Sequence, residues 1–157
     1  GLYQFKNLQI GAAIGVPGID IVTSKANVEG CDFGGAGGSE TYVWCKSASV
    51  FNVVSTFSIS ANAKLGFTVS DCALLSLRST RGTYTGSITF STAFIRATRC
   101  SSVLMDDYAT TSGNFTGKVA EVSANSAWFS TGSTLPGSAG VTNTLDQVSG
   151  ASSAVSV

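Results

Sequence analysis

Residues 84–94 read Tyr-Thr-Gly-Ser-Ile-Thr-Phe-Ser-Thr-Ala-Phe, and this stretch decides the fold class. Tyr84, Ile88 and Phe90 stand at even positions, whereas the odd positions from 85 to 91 hold only Thr or Ser. A period of two places the apolar side chains on one face of a β-strand. The Arg-Gly pair at 81–82 is a turn signal just before it. The stretch therefore predicts a strand with one buried face.

The same alternation recurs on both sides of this stretch, as in Phe51, Val53, Phe57 and Ile59. Shorter strands are predicted at 4–10, 19–23, 41–46, 65–69, 74–78, 102–105, 115–122, 127–130, 141–145 and 154–157. No segment shows helical spacing over ten residues. About ten short strands with Gly-rich turns between them are typical of all-β domains. We expect a single-domain antiparallel β-sandwich, or a jelly-roll or Greek-key barrel.

The composition divides this chain into three expected parts. Residues 1–16 are predicted to be an N-terminal extension and a candidate inter-subunit strand, and residues 17–148 the β-sandwich domain. Residues 149–157 are predicted to be a C-terminal tail or terminal strand. From residue 122 to the end only Asp146 is charged. Because small polar termini fray unless they are held, we expect the tail to pack against its own domain or a neighbour.

Few residues in the chain are charged. It has 157 residues, nine basic and nine acidic side chains, no histidine, and 41 residues that are Ser or Thr. A net charge of zero gives no overall attraction for nucleic acid, and no apolar run is long enough for a membrane-spanning helix. Without histidine the chain lacks the commonest general base and metal ligand. We therefore expect no enzyme, no cofactor and no metal site.

The four cysteines lack the C-x-x-C spacing that zinc sites favour: Cys31, Cys45, Cys72 and Cys100. An even number in a weakly charged, hydroxyl-rich chain predicts disulfides and an extracellular location. Three connectivities are open, and the local pairs Cys31–Cys45 and Cys72–Cys100 are favoured. The alternative is four buried free thiols in a reducing compartment.

Two further features concern the surface. Asn114 begins an Asn-Phe-Thr sequon and is a candidate glycosylation site. Trp128 and Phe129 are adjacent, so on a strand they must point to opposite faces. One of the two rings is then free to stack on a sugar or contact a subunit.

All the arginines lie between Cys72 and Cys100, in a stretch without carboxylates: Arg78, Arg81, Arg96 and Arg99. They are a candidate contact face for a sulfated or sialylated glycan, a nucleic acid or an acidic patch of a neighbouring subunit. The alternative is that they pair within the chain with Asp71, Asp106 and Asp107.

Low charge, abundant small polar residues and alternating strands favour a structural subunit of an extracellular assembly, such as a pilus, a filament or a virion coat. The apolar N-terminal segment can add as a strand to an open sheet edge of a neighbouring copy. Its candidate assembly residues are Gln4, Phe5, Leu8, Ile10 and Ile14. The composition resembles that of fimbrial subunits that assemble by strand donation, a likeness of composition alone. The alternative is a secreted carbohydrate-binding module, a lectin or adhesin, that binds a host glycan through the arginines.

Overall fold

The structure is a computed structural model that describes residues 1–11, 13–34, 39–130, 133, 145–147 and 154–156. Within these residues it contains eighteen β-strands and no helix. The strands form three sheets, and every pair of neighbouring strands is parallel.

The strands of each sheet come from widely separated parts of the sequence. The first sheet contains β1 (Leu2–Lys6), β4 (Lys25–Glu29), β7 (Val50–Val53), β10 (Leu74–Ser76), β13 (Ser102–Leu104), β16 (Ala127–Phe129) and β18 (Ala154–Ser156). The second sheet contains β2 (Gln9–Ile10), β5 (Cys31–Phe33), β8 (Thr56–Ile59), β11 (Arg81–Tyr84) and β14 (Ala109–Ser112). The third sheet contains β3 (Ile19–Val22), β6 (Ser39–Lys46), β9 (Ala63–Val69), β12 (Ile88–Ala97), β15 (Phe115–Val122) and β17 (Leu145–Gln147).

The chain visits the first, second and third sheets in turn, and we call each such circuit a coil. Coils one to five begin at β1, β4, β7, β10 and β13. Leu2 pairs with Lys25, 23 residues later, and Leu74 pairs with Ser102, 28 residues later, so coil length varies. The chain is therefore a parallel β-solenoid of about five turns.

The all-β prediction is confirmed, but the antiparallel sandwich, jelly-roll or Greek-key barrel is wrong. Alternation of apolar and polar residues reports that one face of a strand is buried, and it does not report which strand lies beside it. A parallel sheet with one face on a solenoid core alternates in the same way. The described residues of the expected sandwich domain at 17–148 lie instead in the solenoid. The segment 141–144, part of a predicted strand, lies outside the described residues.

Aromatic rings from successive coils form the centre of the core. Phe33, Phe67, Phe94 and Phe115 belong to coils two to five and are at most 1% exposed. Their ring centroids lie 5.4 Å, 5.5 Å and 5.2 Å apart in that order. These spacings are typical of favourable ring contacts. The rings therefore connect the coils along the solenoid axis.

The corners between the third and first sheets repeat from coil to coil. Four of them use two successive non-glycine residues with φ between 51° and 62°: Ser47 and Ala48, Asp71 and Cys72, Arg99 and Cys100, and Ala124 and Asn125. The backbone N–H of Cys72 donates to the carbonyl of Arg99 at 2.9 Å, and that of Cys100 donates to the carbonyl of Ala124 at 2.9 Å. Hydrogen bonds between coils thus hold a backbone conformation that costs about 1–2 kcal/mol per residue.

The third sheet bends at the same level in four coils. Two successive residues are buried there in each coil: Tyr42 and Val43, Gly66 and Phe67, Phe94 and Ile95, and Val119 and Ala120. Strand side chains normally alternate between faces, so two successive inward residues require a local bend. A Cβ atom on Gly66 would lie 2.6 Å from the carbonyl oxygen of Phe94. Glycine therefore lets the third and fourth coils approach closely at the bend.

Replacing Phe67 with alanine should lower the free energy of unfolding by about 3–5 kcal/mol, because it removes a ring from the centre of the axial stack. Urea denaturation followed by circular dichroism measures this. Phe129→Ala is the matched control, since Phe129 is 41% exposed, and it should cost less than about 1 kcal/mol. Equal losses in the two variants would contradict the assigned core.

Candidate functional site

The first coil lies at one end of the described solenoid, and among the described residues its three strands have a neighbour on one side only. β1 pairs with β4, β2 with β5 and β3 with β6, and each lies at the end of its sheet. We call the three unpaired strand edges together the first-coil edge. Unpaired N–H and C=O groups at such an edge can pair with a strand of another chain.

Hydrogen bonds show which backbone groups of β1 bond to β4 and which are directed away from β4, at the first-coil edge. The carbonyl of Gly1 accepts a bond from the N–H of Lys25 at 3.1 Å, and the N–H of Asn7 donates to the carbonyl of Glu29 at 3.0 Å. Because backbone polar groups alternate between the two edges along a strand, those of Gln4 are directed away from β4. Gln4 thus offers both a donor and an acceptor to a further strand.

Inward-facing side chains of the first coil are exposed where the same position in the second coil is buried. Tyr3 pairs with Ala26 and Phe5 pairs with Val28, and Ala26 and Val28 are at most 1% exposed. Tyr3 is nevertheless 57% exposed. No coil among the described residues covers Tyr3, and its exposure follows from that position.

Exposed large apolar side chains concentrate in the first coil. Six of the eight in the described residues lie there: Leu2, Tyr3, Leu8, Ile14, Val16 and Val22. A cavity of about 290 Å³ lies beside Tyr3, Phe5, Ile19 and Ile21. An apolar surface of this kind marks a contact site more often than a free surface.

Both charged side chains of the first coil pair with the second coil. The Lys6 ammonium lies 2.6 Å from a carboxylate oxygen of Glu29, and the Lys46 ammonium lies 2.8 Å from that of Asp20. All four side chains are partly exposed, so each pair contributes about 0–1 kcal/mol. Their main effect is that, among the described residues, the first-coil edge carries no unpaired charged side chain, and we call this its neutral rim.

The predicted assembly residues divide between the edge and the core. Gln4 and Phe5 lie in β1, and Leu8 is 48% exposed. Ile10 is 8% exposed and pairs with Phe33, so it belongs to the core. Ile14 is 84% exposed, in the turn between Ala13 and Val16. Ala12, in the same apolar segment, lies outside the described residues.

Sequence reasoning missed Tyr3, Ile19, Ile21 and Val22, which complete the first-coil edge and its cavity. Two sequence features together could have identified these residues. One is the alternation within Leu2–Lys6 and Ile19–Val22, and the other is the repeat of about 25 residues that marks a solenoid. Without that repeat, nothing relates the two strands to one end of a fold.

Each of the four arginines forms an ion pair with a neighbouring coil. The pairs are Arg78–Asp106 at 3.0 Å, Arg81–Asp107 at 3.6 Å, Arg96–Glu121 at 2.7 Å and Arg99–Asp71 at 3.1 Å. The intrachain alternative, with Asp71, Asp106 and Asp107 as partners, matches three of these pairs. Glycan binding by the arginines stays a prediction, and it would require an arginine to leave its carboxylate.

The predicted disulfides are wrong, because all four cysteines are unpaired. The Cys31 Sγ lies 3.5 Å from the carbonyl oxygen of Phe5, whereas the Cys45 Sγ lies 3.8 Å from that of Leu74. These two buried thiols therefore point to different coils. Cys72 and Cys100 are exposed at equivalent corners and remain separate thiols. Cys31 and Cys45 lie in different sheets of the second coil, whereas Cys72 and Cys100 occupy equivalent corners of successive coils without a bond between them.

Burial shifts several ionisable groups of the core. It raises the pKa of Cys45 to about 12, and burial with the nearby Asp32 carboxylate raises the pKa of Tyr42 to about 12. The hydroxyls of Tyr84 and Tyr108 lie 2.8 Å apart in the core. Burial raises the pKa of Tyr108 to about 12, and it raises that of Tyr84 well above its ordinary value. All these groups are neutral near pH 7 and act as packed or hydrogen-bonded core residues.

The candidate glycosylation residue Asn114 is exposed and precedes β15. The Thr116 hydroxyl of the same sequon lies 2.9 Å from the hydroxyl of Thr89, within hydrogen-bond distance. Modification of Asn114 stays a prediction.

The described residues form a parallel β-solenoid whose first-coil edge is apolar and has no strand paired to it among them. No family model, curated protein or solved structure matches the chain. Over the described part of the chain, no helix is long and apolar enough to cross a membrane. The same residues contain no group of three or more His, Cys, Asp or Glu side chains placed to hold a metal ion.

A thiol titration separates the free cysteines from the disulfides expected earlier. In the native protein without reductant, Ellman's reagent should react readily with Cys72 and Cys100 and leave the buried Cys31 and Cys45 protected. In denaturant, still without reductant, all four thiols should react. Fewer than four would show that a disulfide forms.

Stability should fall as the pH rises above about 9. Cys45 and Tyr42 have folded pKa values of about 12 against ordinary values of 9.0 and 10.0, so the folded state binds more protons in this window. The loss is up to about 1.4 kcal/mol per pH unit for each group. Urea denaturation between pH 8 and 11 measures the slope. Cys45→Ala should delay the loss from about pH 9 to about pH 10, and an unchanged onset would contradict this.

Proposed function

We propose that the protein is a structural subunit of an extracellular assembly, such as a pilus, a filament or a virion coat. In this proposal, a β-coil of a second copy stacks on the first-coil edge. The observation that carries it is the coincidence of three unpaired strand edges with exposed apolar side chains at the same end. Strand addition supplies backbone hydrogen bonds, and the apolar side chains supply buried area.

The free-energy cost of association, compared with the gain from burying one side chain, favours a contact along all three strands. Association costs about 4–15 kcal/mol in lost freedom of motion, whereas fully burying one large apolar side chain gains about 1.5–3 kcal/mol. One residue such as Tyr3 cannot offset that cost. Tyr3, Leu8 and Ile19 lie near different strands of the first coil, and a stacked coil covers them together. The proposed contact therefore requires a complete coil rather than a single donated strand.

The neutral rim supports a contact between identical chains. Lys6 and Asp20 are the charged side chains of the first coil, and each pairs with a residue of the second coil. Like charges facing each other across a contact would oppose it. With these charges paired internally, a second copy meets little electrostatic repulsion.

A proline at position 4 tests the edge directly. Gln4→Pro removes an N–H that points away from β4, so the fold should remain while stacking of a further strand is lost. Wild-type protein should form oligomers or filaments in light scattering and negative-stain microscopy, and Gln4→Pro should be monomeric. Circular dichroism and thermal melting check that the variant is folded.

Gln4→Val is the matched control, because valine keeps the backbone N–H and a strand conformation. It should assemble like the wild type. Tyr3→Lys provides a second variant, which places a charge on the apolar end and should also weaken assembly. Monomeric wild-type protein at millimolar concentration would overturn the proposal, as would assembly of folded Gln4→Pro at the wild-type level.

A further inference from the structure

A second concave site lies on the outer face of the third sheet, away from the inward-facing side chains of the first-coil edge. It is a cavity of about 300 Å³, which we call the third-sheet groove. Its lining includes Thr41, Leu65 and Thr68, which are 5%, 6% and 7% exposed. These residues come from the second and third coils, next to the level at which the sheet bends.

Trp44 lies in the groove and is held by polar contacts. Its indole N–H donates to the Ser70 hydroxyl at 3.2 Å, and that hydroxyl donates to the Asp71 carboxylate at 2.9 Å. The Lys46 ammonium lies over the indole at 4.6 Å from the ring centroid. These contacts fix the ring, and a ligand that packs on it would meet a surface already ordered.

The charged side chains of the groove are paired with opposite charges. Lys64 lies 3.1 Å from Glu40, and both side chains are about half exposed. Arg96 lies 2.7 Å from Glu121, whose side chain is only 14% exposed. Each cation is paired with a carboxylate, although Arg96 and Lys118 share Glu121 at 2.7 Å and 3.3 Å, so the groove offers hydrogen-bond donors and acceptors with only a small positive charge.

We propose that the third-sheet groove binds a neutral oligosaccharide. A sugar ring has a C–H face that can pack on the face of the Trp44 indole opposite Lys46, and it has hydroxyls that can bond the Lys64 and Glu40 groups. The volume lies at the lower end of ligand sites, with room for roughly one or two rings. This site uses none of the apolar side chains assigned to assembly.

The same observations disfavour other ligand classes. A polyanion such as a nucleic acid gains little attraction, because the cations of the groove are already paired with carboxylates. A wholly apolar ligand would remove water from Lys64, Glu40 and Arg96 without replacing its hydrogen bonds. A neutral molecule with many hydroxyls needs no charge attraction, and its hydroxyls replace the hydrogen bonds of the displaced water.

A printed array of neutral, sialylated and sulfated glycans provides the first test, followed by calorimetric titration of the neutral glycan with the strongest signal. Wild-type protein should bind a neutral glycan with a dissociation constant in the millimolar range or tighter. Trp44→Ala should weaken binding at least tenfold. Val54→Ala, which shortens an exposed apolar side chain outside the groove lining, should bind like the wild type and is the matched control.

Thermal melting checks that the variants are folded. Lys64→Ala changes an exposed pair with little effect on the fold, and it should weaken binding at least threefold even where Trp44→Ala fails to fold. The proposal is overturned if the wild type binds no neutral glycan, or if only sialylated or sulfated glycans bind. It is also overturned if folded Trp44→Ala and Lys64→Ala both bind at the wild-type level.

Discussion

Parallel pairing in register places equivalent residues of successive coils beside one another, and the other features of the molecule depend on this constraint. Val43 pairs with Phe67, Phe67 with Ile95, and Ile95 with Ala120, all with buried side chains. Each coil therefore buries its inward residues against those of the coils on either side. The core is continuous along the axis, and its stability is the sum of contacts between neighbouring coils.

The same constraint accounts for the ion pairs and for the open end. Outward charges meet partners in the adjacent coil, as Arg96 does with Glu121, and this pairing keeps a weakly charged surface neutral locally. At the first coil the repeat has no further neighbour among the described residues. Tyr3 and Gln4 therefore keep the exposed ring and the free backbone groups that a further coil would cover.

The strands were easier to predict than their arrangement. The alternation at 84–94 predicted one strand after a turn at 81–82, but Arg81–Tyr84 form β11 of the second sheet and Ile88–Ala97 form β12 of the third, so the turn follows Tyr84. Within β12 the alternation ends at the bend, where Phe94 and Ile95 are both buried. Pairing between strands depends on residues about 25 positions apart, which alternation within one strand does not report. Adjacent Trp128 and Phe129 were predicted to face opposite sides, and one is buried while the other is exposed. The Cys31–Cys45 pair was wrong because proximity in sequence was taken for proximity around the coil, whereas Cys72 and Cys100 occupy equivalent corners of successive coils and are free thiols.

The variation in coil length has a consequence for how such a protein can diversify. The interval from Leu74 to Ser102 exceeds that from Leu2 to Lys25 by five residues, yet the inward columns remain aligned. Within the longer coil, the register shifts between Phe90 and Ala93, which takes up part of the difference locally. Insertions at bends and corners can therefore alter the outer surface while the axial core is conserved. A solenoid of this kind can acquire new loops one coil at a time without a new fold.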